Sequence, residues 1–281
     1  MNLQSPHPDR DYWIAMGMFT VCTLFCIHLI HNVGYPESQF RFWLGYLTSD
    51  RPALRQLAVS EFRQESEALL PLLLHKIASA DTNDQAQAVM VFAAMDGHAR
   101  PAIPKLAKLL HHETSSLAVA RALGGIGRSS LPVLTNALHS PVRFVRSNAT
   151  RGIGLLHSDG RVAVPLLVKA LEDRDDDLRY FASRALGHIA AEPEQAVPAL
   201  VGRFDDPSLE VRRIAIVSLG KFHEHAKAAV PALRQKELWG ANQEIRDAAA
   251  FALKEIDPTA SASGSGNELP IKPSPPVKPG S

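Results

Sequence analysis

The chain has 281 residues, 46% of them apolar but only 6% aromatic, a balance that suits an Ala/Leu-rich helical protein and argues against a β-sandwich. Its 30 Lys and Arg against 29 Asp and Glu leave no global field to draw nucleic acid, so no nucleic-acid partner is expected. Both cysteines, Cys22 and Cys26, fall in one N-terminal apolar run, which excludes a disulfide framework and a thiolate metal site from the rest of the chain.

Residues 1–12 form a polar flank. Residues 13–30, WIAMGMFTVCTLFCIHLI, contain no Asp, Glu, Lys or Arg. As a helix rising about 1.5 Å per residue they reach about 27 Å, enough for a hydrocarbon core of about 30 Å. Tyr12, Trp13 and Tyr35 stand where interfacial aromatics belong. No A-x-A-like site follows the run, and neither cysteine has a small residue before it. Residues 13–31 therefore read as an uncleaved transmembrane anchor, with a cleaved signal as the alternative. The flanking charges, Arg10 and Arg41, barely differ between the two ends. An uncleaved N-terminal anchor points to a C-terminal domain on the non-cytoplasmic side of a single-pass membrane protein. In the juxtamembrane segment, 32–50, Phe40, Trp43, Leu44 and Leu47 share one helix face. They are expected to cap the first repeat; the alternative is a helix lying in the membrane interface.

From residue 51 to 257 the chain repeats. Aligned on Pro71, Pro104, Pro132, Pro165, Pro198 and Pro231, the intervals are 33, 28, 33, 33 and 33. Arg146, Arg179 and Arg212 recur, as do Gly154, Gly187 and Gly220, and Arg246 with Leu253 extends the pattern into a half repeat. Each unit predicts two helices. The first carries an apolar stripe such as Leu178, Phe181, Ala182, Ala185, Leu186 and Ile189. The second is expected to open on the proline, whose missing N–H costs nothing in a first turn. Such hairpins bury their faces only by stacking, so the fold class is all-α: an α-solenoid of about six repeats plus a half repeat, preceded by one transmembrane helix.

The unit resembles the HEAT repeat, in particular the short HEAT-like repeats first grouped with phycobilisome lyases. The matching blocks are D-x-x-V/L-R (residues 175–179 and 207–212), A-L-G-x-I/F (185–189 and 218–222) and A-V-P-A-L (196–200 and 229–233). They are strongest from residue 141 to 239. The layout of one anchor before a small array is similar to that of bacterial single-anchor HEAT proteins. Some HEAT-like arrays are enzymes, and deoxyhypusine hydroxylase holds two irons with His-Glu pairs on successive helices. Here the residues after the helix-start arginines are Ser147-Asn148, Tyr180-Phe181, Arg213-Ile214 and Asp247-Ala248, none of them His-Glu. His112-Glu113 and His223-Glu224-His225 lie out of phase with each other, and the array has no cysteine for bilin chemistry. We therefore expect no catalytic residues, no metal and no cofactor. An enzyme or lyase-like accessory factor on a HEAT array is the alternative.

The recurring arginines and glycines read as structural: the first pair with nearby acids and turn carbonyls, the second let helices approach. In the 28-residue unit, Gly124, Gly125 and Gly127 lack a following G-K-[ST] and predict a tight turn, not a phosphate loop. Residues 258–281 are Ser-, Gly- and Pro-rich, with Pro270, Pro273, Pro276 and Pro279 at polyproline II spacing, and predict a disordered tail. The function these features support is a membrane-anchored scaffold that binds a protein partner. In HEAT arrays the second helices line the concave side. There Lys105, Lys108, Asn136, Lys169, Arg203, Arg234 and Lys236 form a row free of acids, the candidate surface for an acidic partner.

Overall fold

The computed structural model describes residues 35–239 and 242–258. All regular structure among them is helical. Helix α1 (Glu37–Leu47) precedes six hairpins and a final single helix. The hairpins are α2 (Pro52–Gln64) with α3 (Ser66–Ala78), α4 (Thr82–Met95) with α5 (Ile103–Leu109), and α6 (Glu113–Ile126) with α7 (Leu131–Ala137). They continue with α8 (Arg143–Gly154) and α9 (Val164–Ala170), α10 (Asp176–Ile189) and α11 (Pro193–Val201), and α12 (Leu209–Gly220) and α13 (Val230–Trp239), and close on α14 (Gln243–Ile256). The fold is an α-solenoid. Among the described residues no helix is long and apolar enough to cross a membrane. The anchor expected at 13–31 and the tail from 259 onward lie outside the described residues.

Prolines open the second helices as expected at Pro104, Pro132, Pro165 and Pro231. Two depart from the pattern. Pro71 stands inside α3, which follows α2 after the single residue Glu65, and Pro198 stands inside α11, which starts earlier at Pro193. In the second to sixth hairpins a positive-φ residue closes the first helix or its following turn at one fixed register, four residues after the buried Phe92, Leu123, Ile153, Leu186 and Leu219: Asp96, Gly127, His157, Ala190 and His223, with φ of 52°, 86°, 48°, 45° and 48°. In the short unit, Ser130 Oγ then donates to the Leu123 and Gly127 carbonyls at 2.5 and 2.8 Å, which makes the tight turn expected of its glycines.

Successive first helices pack directly on one another, α4 on α6, α6 on α8, and so on to α14, while each second helix packs on the first helix of the following hairpin. Small residues permit the first contact. A Cβ on Gly152 would lie 2.6 Å from the Ala120 carbonyl oxygen, one on Gly187 2.7 Å from Ser218 Cβ, and one on Gly125 2.9 Å from Ala93 Cα. A stack bends toward its more closely spaced row, so the first helices form its inner face. The second helices, read from the sequence as concave, are the outer row.

At the N-terminal end α1 covers the first hairpin. Phe40 and Trp43 are buried, Phe40 meets Phe62 with ring centroids 6.2 Å apart, and Leu44 and Leu47 pack partly buried beside them. Lys76 of α3 pins the cap, 2.9 Å from Glu37 of α1 and 2.8 Å from Asp84 of α4.

Candidate functional site

The recurring arginine is a structural clasp. Arg146 Nη1 donates to the carbonyls of Ser140 and Pro141, Arg179 Nη1 to those of Asp173 and Arg174, and Arg212 Nη1 to those of Asp206 and Pro207. Each guanidinium thereby closes the turn that leads into its own helix. Arg179 also pairs with Asp206 through two bonds of 2.8 Å, its Nε and Nη2 donating to the carboxylate. Burial by itself raises the Asp206 carboxyl. The Arg179 bonds, the Ser208 N–H and Arg203 outweigh it and hold the group below the usual carboxylate range.

The cations picked out on the second helices divide. Lys105, Lys108, Asn136, Lys169 and Arg234 are exposed on the outer row. Arg203 is half-buried; its Nη1 donates to the Leu171 carbonyl at 3.0 Å and approaches Asp206 at 3.8 Å. Lys236 is ion-paired with Asp205 of the preceding turn. These two join neighbouring hairpins, so the continuous basic row expected there is broken at both positions. Solvent access of a long side chain depends on the next repeat, which helix phase alone does not show.

A different set of cations meets on the inner face. Arg121 of α6, Arg151 of α8 and Arg184 of α10 line a groove of about 180 Å³ together with Leu155, Phe181 and His188. Every other residue lining it is Thr, Gly or Ala; no carboxylate does. The Arg151 guanidinium stacks 3.6 Å from the Phe181 ring centroid, and its buried Nε makes no hydrogen bond. Burial, then Arg121 and Arg184, push it down from the ordinary arginine value. Arg184 Nε donates to His188 Nε2 at 3.3 Å, and burial, Arg184, His157 and Lys221 together lower His188. Among the described residues no salt bridge joins any of the three guanidiniums to a carboxylate, and Asp177 and Tyr180 only partly offset the mutual repulsion felt by Arg151.

The same place on the other first helices holds Met90 on α4, Val217 on α12 and Phe251 on α14. Each of the six stands two residues before a buried side chain, Phe92, Leu123, Ile153, Leu186, Leu219 or Leu253, which fixes the register. Met90 is 41% exposed, Phe251 43% and Leu155 45%, so the row runs from an exposed apolar residue through three cations to another apolar end. Sequence reasoning passed over this row. Its signal is an arginine three residues before Gly124, Gly154 and Gly187.

No group of three or more His, Cys, Asp or Glu suited to a metal occurs among the described residues. His223 is the positive-φ residue in the turn that follows α12, with Nδ1 3.3 Å from the Glu255 carbonyl.

These features define an α-helical repeat array with a cationic inner face. Residues 164–254 match the family model of HEAT repeats, as the repeat blocks led us to expect. No curated protein matches it in sequence. Among solved structures it is similar to the complex of CpcE and CpcF of phycocyanin lyase from Nostoc sp. PCC7120, at 20% identity and a TM-score of 0.48 over 54% of this chain and 98% of that one. It is also similar to YibA of Escherichia coli, at 14% identity and a TM-score of 0.45 over 90% and 88% of the two chains.

Proposed function

We propose that the protein is a membrane-anchored HEAT scaffold that binds a protein partner on its inner face and carries out no reaction of its own. One observation carries this reading: Arg121, Arg151 and Arg184 stand in a row beside exposed apolar side chains with no carboxylate to pair them. Cations kept for the fold are tied, as Arg179, Arg203 and Lys236 are. Unpaired arginine beside apolar surface is the composition of a binding face. In this reading residues 13–31 hold the array at a membrane, on its non-cytoplasmic side.

The test is capture of partners by the tagged full chain from detergent-solubilised cells, compared between two charge-reversed variants. Arg121→Glu with Arg184→Glu is expected to lower the recovery of specific partners by about tenfold, whereas Lys105→Glu with Lys108→Glu on the outer row leaves it unchanged. Recovery lost only with the second pair moves the binding surface to the outer row. Recovery unaffected by either pair removes both. Alkaline carbonate should leave the full chain with membranes and release a chain lacking residues 1–33.

A further inference from the structure

We infer that the segment seated on the inner face is an extended acidic stretch with a carboxylate at every third residue, one for each of Arg121, Arg151 and Arg184. This rests on the inner-face reading above and adds the chemistry and the register of the ligand.

The three arginines occupy one position on three successive packed helices. Helices in contact stand about 8–10 Å apart, so the cations form a row and not a cradle. A row of three does not single out one tetrahedral anion as its occupant. Nor does a helix N-terminus aim N–H groups into the groove: Arg184 sits in the C-terminal half of α10, which runs from Asp176 to Ile189. The guanidinium fork instead matches the two oxygens of a carboxylate.

The register follows from the rise of the ligand chain. A polyproline II strand advances about 3.1 Å per residue and returns to the same face every third residue, about 9 Å on. That equals one helix spacing. A β-strand brings side chains back to one face after about 6.6 Å and falls out of step by the second arginine. Arg151, held against Phe181, sets the middle of the row. Leu155 beside it, and Met90 and Phe251 at the ends, offer apolar surface to side chains between and beyond the acids. The chain's own residues 259–281 do not supply such a segment, since their one acid, Glu268, stands against Lys272 and Lys278.

The experiment uses the full chain in detergent and fluorescence anisotropy of labelled synthetic peptides. One peptide carries three Glu separated by Pro-Pro pairs; its isomer carries the same three Glu side by side. The spaced peptide should bind at least about fivefold more tightly than the isomer at low salt, and both should weaken as salt rises. Arg121→Glu with Arg184→Glu should weaken the spaced peptide by about tenfold, while Lys105→Glu with Lys108→Glu leaves it unchanged. Both arginines are exposed, and circular dichroism checks that the variants keep their helices. Equal affinity of the two peptides, no binding of either, insensitivity to the arginine pair, or displacement by equimolar inorganic phosphate would overturn the inference. If partner capture is lost in the arginine variant while both peptides fail to bind, the inner-face reading stands and the carboxylate register falls.

Discussion

Arg179 and Asp206 join the start of one first helix to the turn before the next, and both are almost out of solvent, at 9% and 4% exposure. Removing Arg179 leaves the buried Asp206 charge with only the Ser208 N–H and the more distant Arg203, so Arg179→Ala is expected to cost about 3 kcal/mol. The sign of the pH effect follows from Asp206, whose folded carboxyl lies below its unfolded value of about 3.9. Its contribution is complete above that value and is lost as pH falls through the lower folded one, because the unfolded chain takes up its proton first. Urea midpoints of wild type and Asp206→Asn should therefore differ at pH 5 and converge toward pH 2. The clasp was legible in the sequence because its arginine recurs at a period of 33 beside acids. The inner row was not, for two physical reasons. It is cationic on only three helices, giving way to Met90 and Val217 on either side, and its meaning depends on which helix row is inner. That is set by contacts between repeats, as is the capture of Arg203 and Lys236 by their neighbours.

At the level of helices, the apolar stripe of α10 was readable residue by residue, and all six of its predicted members are buried. Periodicity sufficed because the stripe faces neighbours on both sides of the stack. The recurring glycines proved less uniform than their spacing suggests. A Cβ at Gly187 meets the Cβ and Cα of Ser218 at 2.7 and 2.9 Å, whereas one at Gly220 meets nothing closer than 3.4 Å. Gly187→Ala must push α10 and α12 apart and should cost about 1–3 kcal/mol. Gly220→Ala should be neutral or stabilise by up to about 1 kcal/mol, since it removes backbone entropy from the unfolded chain. Urea unfolding of the two variants checks the contrast, and equal losses would mean that the close approach at α10–α12 is absent in solution. Proline was a good marker of helix starts but not a sufficient one. At Pro193, five residues before Pro198, a second proline already begins the helix.

Across the whole molecule, stability is local, because each helix touches only its near neighbours along the stack. The α1 cap illustrates this: its buried Phe40 and Trp43 lie over the first hairpin, and Lys76 links it no farther than α4. Removal of residues 1–50 should abolish hydrogen-exchange protection over residues 52–78 and leave residues 176–220 as slow as in the full chain. Uniform loss of protection would show a cooperativity that these contacts do not provide. The unequal closeness of the first-helix joints also has a mechanical side. From α4 to α12 several of these helices sit with backbone against backbone, while α12 meets α14 at ordinary contact distance around Gly220. A joint seated on small residues cannot open without losing its contacts outright, whereas one spaced by side chains gives by rotamer changes. Load applied between α4 and α14 is therefore taken up first at the α12–α14 joint, and the stretch that bears the three arginines keeps its spacing under tension.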